Sequence, residues 1–78
     1  MSNNKPAFSI RDGAIKLTCW ANQSEDKTFH TIDVVRSYKD SNDEWKDTSQ
    51  LSGSDILKAS ALMQEGYAKI RELRSPGQ

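Results

Sequence analysis

The segment Ala14-Ile15-Lys16-Leu17-Thr18-Cys19-Trp20 decides the fold. Its side chains alternate: in a strand Ile15, Leu17 and Cys19 point one way, and Lys16, Thr18 and Trp20 the other. One apolar and one mostly polar face define a strand of an antiparallel sheet that packs on a core from one side. Upstream, Phe8-Ser9-Ile10 alternates too and runs into Asp12-Gly13. That dipeptide predicts a type I′ hairpin turn, because both residues tolerate positive φ.

Downstream, residues 22–27 (NQSEDK) are polar and predict a turn. Residues 28–38 (TFHTIDVVRSY) are rich in β-branched and aromatic side chains and predict a long strand. Alternation puts His30, Ile32, Val34, Arg36 and Tyr38 on one side, with Phe29 and Val35 opposite. Either a bulge interrupts this strand or both of its faces are covered. Residues 39–43 (KDSND) form a further turn, and 44–50 (EWKDTSQ) a polar fourth strand suited to a sheet edge.

The C-terminal third reads as a helix. Ser52 is a natural N-cap with Asp55 three residues on, and Leu51 can staple onto Ile56. Apolar groups recur at Ile56, Ala59, Leu62, Met63, Tyr67, Ile70 and Leu73 with helical period. Asp55 suits the positive end of the macrodipole, and Lys69, Arg71 and Arg74 the negative end. Glu65 and Lys69 form an i,i+4 pair. Gly66 costs roughly 1 kcal/mol against alanine inside a helix, which implies close approach to the sheet or to a partner helix. The expected architecture is α+β: an antiparallel four-stranded meander over one C-terminal amphipathic helix, in a single domain at 8–73. An arm at 1–7 and a tail at 74–78, broken by Pro76 and Gly77, flank it.

The chain has 78 residues, of which 35% are hydrophobic and 28% charged. So short a domain builds one thin core: either the fold is minimal, a monomer whose Leu57 and Met63 wrap the sheet edge, or a second copy or another partner completes its apolar surface, and a second copy is expected. A C2 homodimer is the usual solution, and Met63, Gly66, Tyr67 and Ile70 are its expected interface. Eleven basic and eleven acidic side chains cancel, so no long-range field draws in polyanions. No apolar run approaches the roughly 18 residues of a membrane span, and no leader pattern opens the chain, so a cytoplasmic protein without a membrane partner is expected.

Chemistry-bearing clusters are sparse. A lone Cys19 cannot form an internal disulfide or a multi-cysteine zinc site. His30 has no second ligand at metal spacing and is expected to be a hydrogen-bonded strand residue. Glu25, Asp26, Asp40, Asp43 and Glu44 sit in turns, where carboxylates are usually solvated turn formers. Asp40, Asn42 and Glu44 lack the frame and glycine of a calcium loop. The reading is therefore non-enzymatic, with no catalytic residues, metal or cofactor. A more specific footprint comes from Lys16, Trp20, Arg36, Tyr38, Lys39, Trp45 and Lys46, which interleave rings with cations in the strands. Single-stranded nucleic acid is bound by such rings stacking on bases while cations follow the phosphates. The competing reading makes Trp20 and Trp45 cross-strand packing partners and the lysines edge charges.

The order Val35-Arg36-Ser37-Tyr38-Lys39, acidic turn, Glu44-Trp45-Lys46, then Leu51-Ser52 and a helix resembles the single-stranded-DNA-binding domain of the transcriptional coactivator positive cofactor four. It is similar, more loosely, to the Whirly proteins. Ile10-Arg11-Asp12-Gly13 and Ile15-Lys16-Leu17 look like that family's opening strand-turn-strand. Small bacterial and phage proteins of similar length share the Tyr-Lys-Asp turn and the Trp stretch. The resemblance covers about half the chain. It implies a curved sheet that binds single-stranded DNA or RNA with low sequence specificity, in a dimer joined through its helices, for transcription or replication. This chain departs from that family in its neutral charge and its extra turn at 22–27. The alternative is a protein-interaction accessory module, phage- or mobile-element-encoded, that docks a protein partner by strand addition.

Overall fold

The alternation of the second strand is realised in full. In the computed structural model, which describes residues 5–74, Ile15, Leu17 and Cys19 are completely buried, while Lys16, Thr18 and Trp20 lie half-buried on the opposite face. The elements are β1 (Pro6–Asp12), β2 (Ile15–Ser24), β3 (Lys27–Lys39), β4 (Trp45–Thr48) and α1 (Ser54–Arg74). The strands form one sheet in the order β1-β2-β3-β4, each neighbour antiparallel, so the fold is the α+β meander plus helix expected from the sequence.

Register carries the parity of β2 across the sheet. Phe8 and Ile10 stand opposite Cys19 and Leu17 on one side, and Ile32, Val34 and Arg36 opposite Cys19, Leu17 and Ile15 on the other. All share the face that α1 covers. No register shift interrupts β3, so the bulge considered for it is absent. The irregularity falls in β1 instead, between Pro6 and Phe8. Pro6 and Ala7 thus belong to β1 rather than to an arm, since a proline opening an outer strand forfeits no ladder bond. The rest of the predicted arm, residues 1–4, and positions 75–78 of the tail lie outside the described residues.

The first turn is shifted and the second is tighter than the sequence suggests. Asp12 pairs with Ile15, so the first loop is Gly13-Ala14, one residue later than expected. Positive φ is confined to Gly13 (φ 63), as in a type II′ turn with glycine first. Ser24 pairs with Lys27, which leaves only Glu25-Asp26 as the second loop. Glu25 takes φ 58, a left-handed conformation uncommon for a side chain of its kind. Asp40 organises the third turn. Its Oδ1 accepts the backbone N–H groups of Asn42 (2.8 Å) and Glu44 (3.0 Å), and Lys46 Nζ lies 3.6 Å from its Oδ2.

The helix begins at Ser54, because Gly53 before it adopts φ 58. Ser52 N–H points at Asp55 Oδ2 (3.4 Å), the carboxylate half of the expected capping box, and Asp55 N–H donates to Ser52 O (3.0 Å). Leu51 packs against the core, whereas Ile56 is exposed. Only Ala59, Leu62 and Gly66 are buried on α1; Ile56, Met63, Tyr67 and Leu73 stay exposed because the apolar stripe is wider than the surface the sheet offers. A Cβ on Gly66 would meet both Leu17 methyls at 3.4 Å. Gly66 therefore serves the contact of α1 with β2 within one chain, which removes it from the expected dimer interface.

Ile15, Leu17, Ala59 and Leu62 form the core, with Phe8, Ile10, Val34 and Leu51 packed against them. The slab is thin: the radius of gyration is 14.6 Å, against about 11.5 Å for a compact chain of this length. Burial pushes the Cys19 thiol above its usual value of 9.0 by disfavouring the thiolate. The unfolded chain releases this proton first. The thiol's contribution is therefore intact below about pH 9 and is lost as pH rises through the folded value. Cys19 is expected to resist iodoacetamide in the folded protein and to react once denaturant is added, with mass spectrometry as the readout.

Candidate nucleic-acid interface

Among the described residues no element covers the face of the sheet away from α1. Parity and register assign to it Ser9 and Arg11 of β1, Lys16, Thr18, Trp20 and Asn22 of β2, Phe29, Thr31, Asp33, Val35, Ser37 and Lys39 of β3, and Trp45 and Asp47 of β4. Arg11 stands directly opposite Lys16. Like charges in that position repel, and among the described residues no carboxylate lies within ion-pair distance of either. The fold thus holds two unneutralised cations side by side on an open surface.

Trp20 lies on the same face as Lys16. Its Nε1–H donates to Asp33 Oδ2 at 3.1 Å, across the diagonal of the β2–β3 ladder, which fixes the indole on the sheet. Phe29 is the other diagonal neighbour of Trp20 and is 48% exposed. Diagonal neighbours are within reach of aromatic side chains, so the two rings edge one end of the face. The carboxylates here are engaged locally: Asp33 by Trp20, and Asp47 Oδ1 by the Ser37 hydroxyl at 3.0 Å.

Lys39 and Trp45 pair at the far end of the same face, with Lys39 Nζ 5.6 Å from the indole centroid and 3.7 Å from Asp43 Oδ1. Trp20 is opposite Thr31 and Trp45 opposite Lys39, so the two indoles are separated by about 26 Å along β3 and are not packing partners. The remaining expected residues fall on the helix-bearing face. Arg36, Tyr38 and Lys46 have the opposite parity, and two of them are committed. Arg36 Nε donates to Gln50 O (3.3 Å), lies 3.5 Å from Asp55 Oδ2, and its guanidinium sits over Tyr38, while Lys46 is paired with Asp40. Of the seven expected ligand residues the structure thus gathers Lys16, Trp20, Lys39 and Trp45 on one face, and adds Arg11 and Phe29. Alternation within residues 36–39 is the signal that separates Arg36 and Tyr38 from Lys39; Arg11 becomes visible only when the hairpin register is known.

His30 lies on the helix-bearing face opposite Ala21, and its sheltered Nδ1 has no hydrogen-bond partner, contrary to expectation. Among the described residues no helix is long and apolar enough to cross a membrane. No protein-family profile, curated protein or solved structure matches this chain.

Proposed function

We propose that this chain is a small, non-enzymatic, cytoplasmic protein that binds single-stranded DNA or RNA, with low sequence specificity, across the open face of its sheet as a homodimer. The observation that carries the reading is the Arg11–Lys16 pair beside the pinned Trp20. Two cations held against their own repulsion suit a phosphate, and a ring fixed next to them suits a base. Phe29 extends the stacking surface, and Lys39 with Trp45 provides a second contact farther along the strand. The resemblance to the positive cofactor four family supports the same ligand class. Low specificity follows because stacking and phosphate contacts accept any base.

The test is titration of a labelled oligo-dT of about 20 nucleotides, following anisotropy and tryptophan fluorescence at about 50 mM and 200 mM salt. Binding with quenching that weakens steeply at the higher salt is the expected result. Absence of binding at tens of micromolar protein in the low-salt buffer would overturn the reading.

A further inference from the structure

β4 pairs with β3 only from Arg36 to Lys39, so residues 27–35 of β3 have a neighbour on one side alone. Ser37 N–H donates to Ala14 O, continuing the β2 ladder. Because hydrogen-bonded and non-hydrogen-bonded pairs alternate in an antiparallel ladder, the odd-numbered residues of β3 direct N–H and C=O toward β2. Thr28, His30, Ile32 and Val34 direct theirs outward, to an edge on which no strand among the described residues pairs. Such an edge is a template for another strand.

We infer that this edge pairs with its own copy, β3 against β3 about a two-fold axis at Thr31, to make one continuous eight-stranded sheet. The inference deepens the homodimer reading above and is independent of the nucleic-acid ligand. Three observations select a second copy as the occupant. The free segment is symmetric about Thr31, so residues 28–34 of the two copies can pair, with the partner's Glu25-Asp26 turn bending out of the sheet to clear Thr48, which already stands opposite Arg36. The resulting pairs contain no like charges: Thr28 meets Val34, Phe29 meets Asp33, His30 meets Ile32, and Thr31 meets its own copy. Apolar groups also flank the seam on both faces, Phe29 on the open side and Ile32, 37% exposed, on the helix side. On α1, Lys58 lies by Gly13 and Lys69 over Phe8, both at the β1 side. At 100° per residue the exposed Ile56, Met63 and Tyr67 then turn toward β3 and the axis. With the axis normal to the sheet, both helices share one side and both copies of Arg11, Lys16 and Trp20 share the other.

The test needs no nucleic acid. Sedimentation equilibrium should give twice the 8.8 kDa chain mass. In a non-hydrogen-bonded pair the Thr31 Cα atoms would be about 4.5 Å apart, within disulfide range. Thr31→Cys should therefore give a covalent dimer under oxidised glutathione, while Asp33→Cys, whose mate is Phe29, should not. Ile32→Pro removes an outward N–H and no β2 bond, and should yield a folded monomer by circular dichroism. A monomer up to about 1 mM, with Thr31→Cys cross-linking no faster than Asp33→Cys, would overturn the seam. So would a dimer that Tyr67→Glu dissociates but Thr31→Cys does not trap.

Discussion

Leu17→Ala is expected to unfold or nearly unfold the protein. Leu17 is fully buried, lies near the start of β2 and carries Gly66 of α1 on its methyl groups. Truncating such a leucine costs about 2–5 kcal/mol, transfer and cavity together. A 78-residue domain has only about 4–12 kcal/mol in total. The core is too small to share the loss, since among the described residues Ile15, Cys19, Ala59 and Leu62 are the only other buried apolar side chains. In thermal melts the midpoint should fall by at least about 10 °C. Leu57→Ala should stay within about 0.5 kcal/mol of the parent, because Leu57 is 73% exposed. A Leu17→Ala melt matching the parent would mean that α1 does not pack on β2 as described.

The second large effect separates binding from stability by sign. Arg11→Gln together with Lys16→Gln relieves a cross-strand repulsion, so the folded state should gain a few tenths of a kcal/mol. Oligo-dT affinity should fall, and the slope of log affinity against log salt should flatten by about 0.7 for each phosphate that the protein no longer neutralises. Adding Trp20→Ala should remove about a further 1–3 kcal/mol of binding. A double variant that gains stability and binds with an unchanged salt slope would show that these cations only repel one another.

The sheet and the helix were legible because burial imposes a period on sequence. Ile15, Leu17 and Cys19 report a period of two, and Ala59, Leu62 and Gly66 lie on a helical stripe. What the sequence did not reveal depends on which residues stand across from one another. Moving the first loop from Asp12-Gly13 to Gly13-Ala14 is what sets Arg11 against Lys16. Shrinking the second loop to Glu25-Asp26 brings Phe29 to the diagonal of Trp20. Turn composition limits a loop to a few residues, but register needs it to one. The grouping of Arg36 and Tyr38 with Lys39 failed for a simpler reason: strand neighbours point to opposite faces. Gly66 was ambiguous because a missing Cβ permits close approach without saying to what.

β4 contributes no residue to the core and is held by four pairs to β3 and by the carboxylate of Asp40. Its opening should cost far less than global unfolding. Amide hydrogens at residues 45–48 should then exchange with deuterium well before those of β2. Trp45 would also leave the sheet with its strand while Trp20 stays in place. The two indoles thus belong to units of different lifetime, and the spacing between the two ring sites is set by a strand that can peel away and re-anneal without the core noticing.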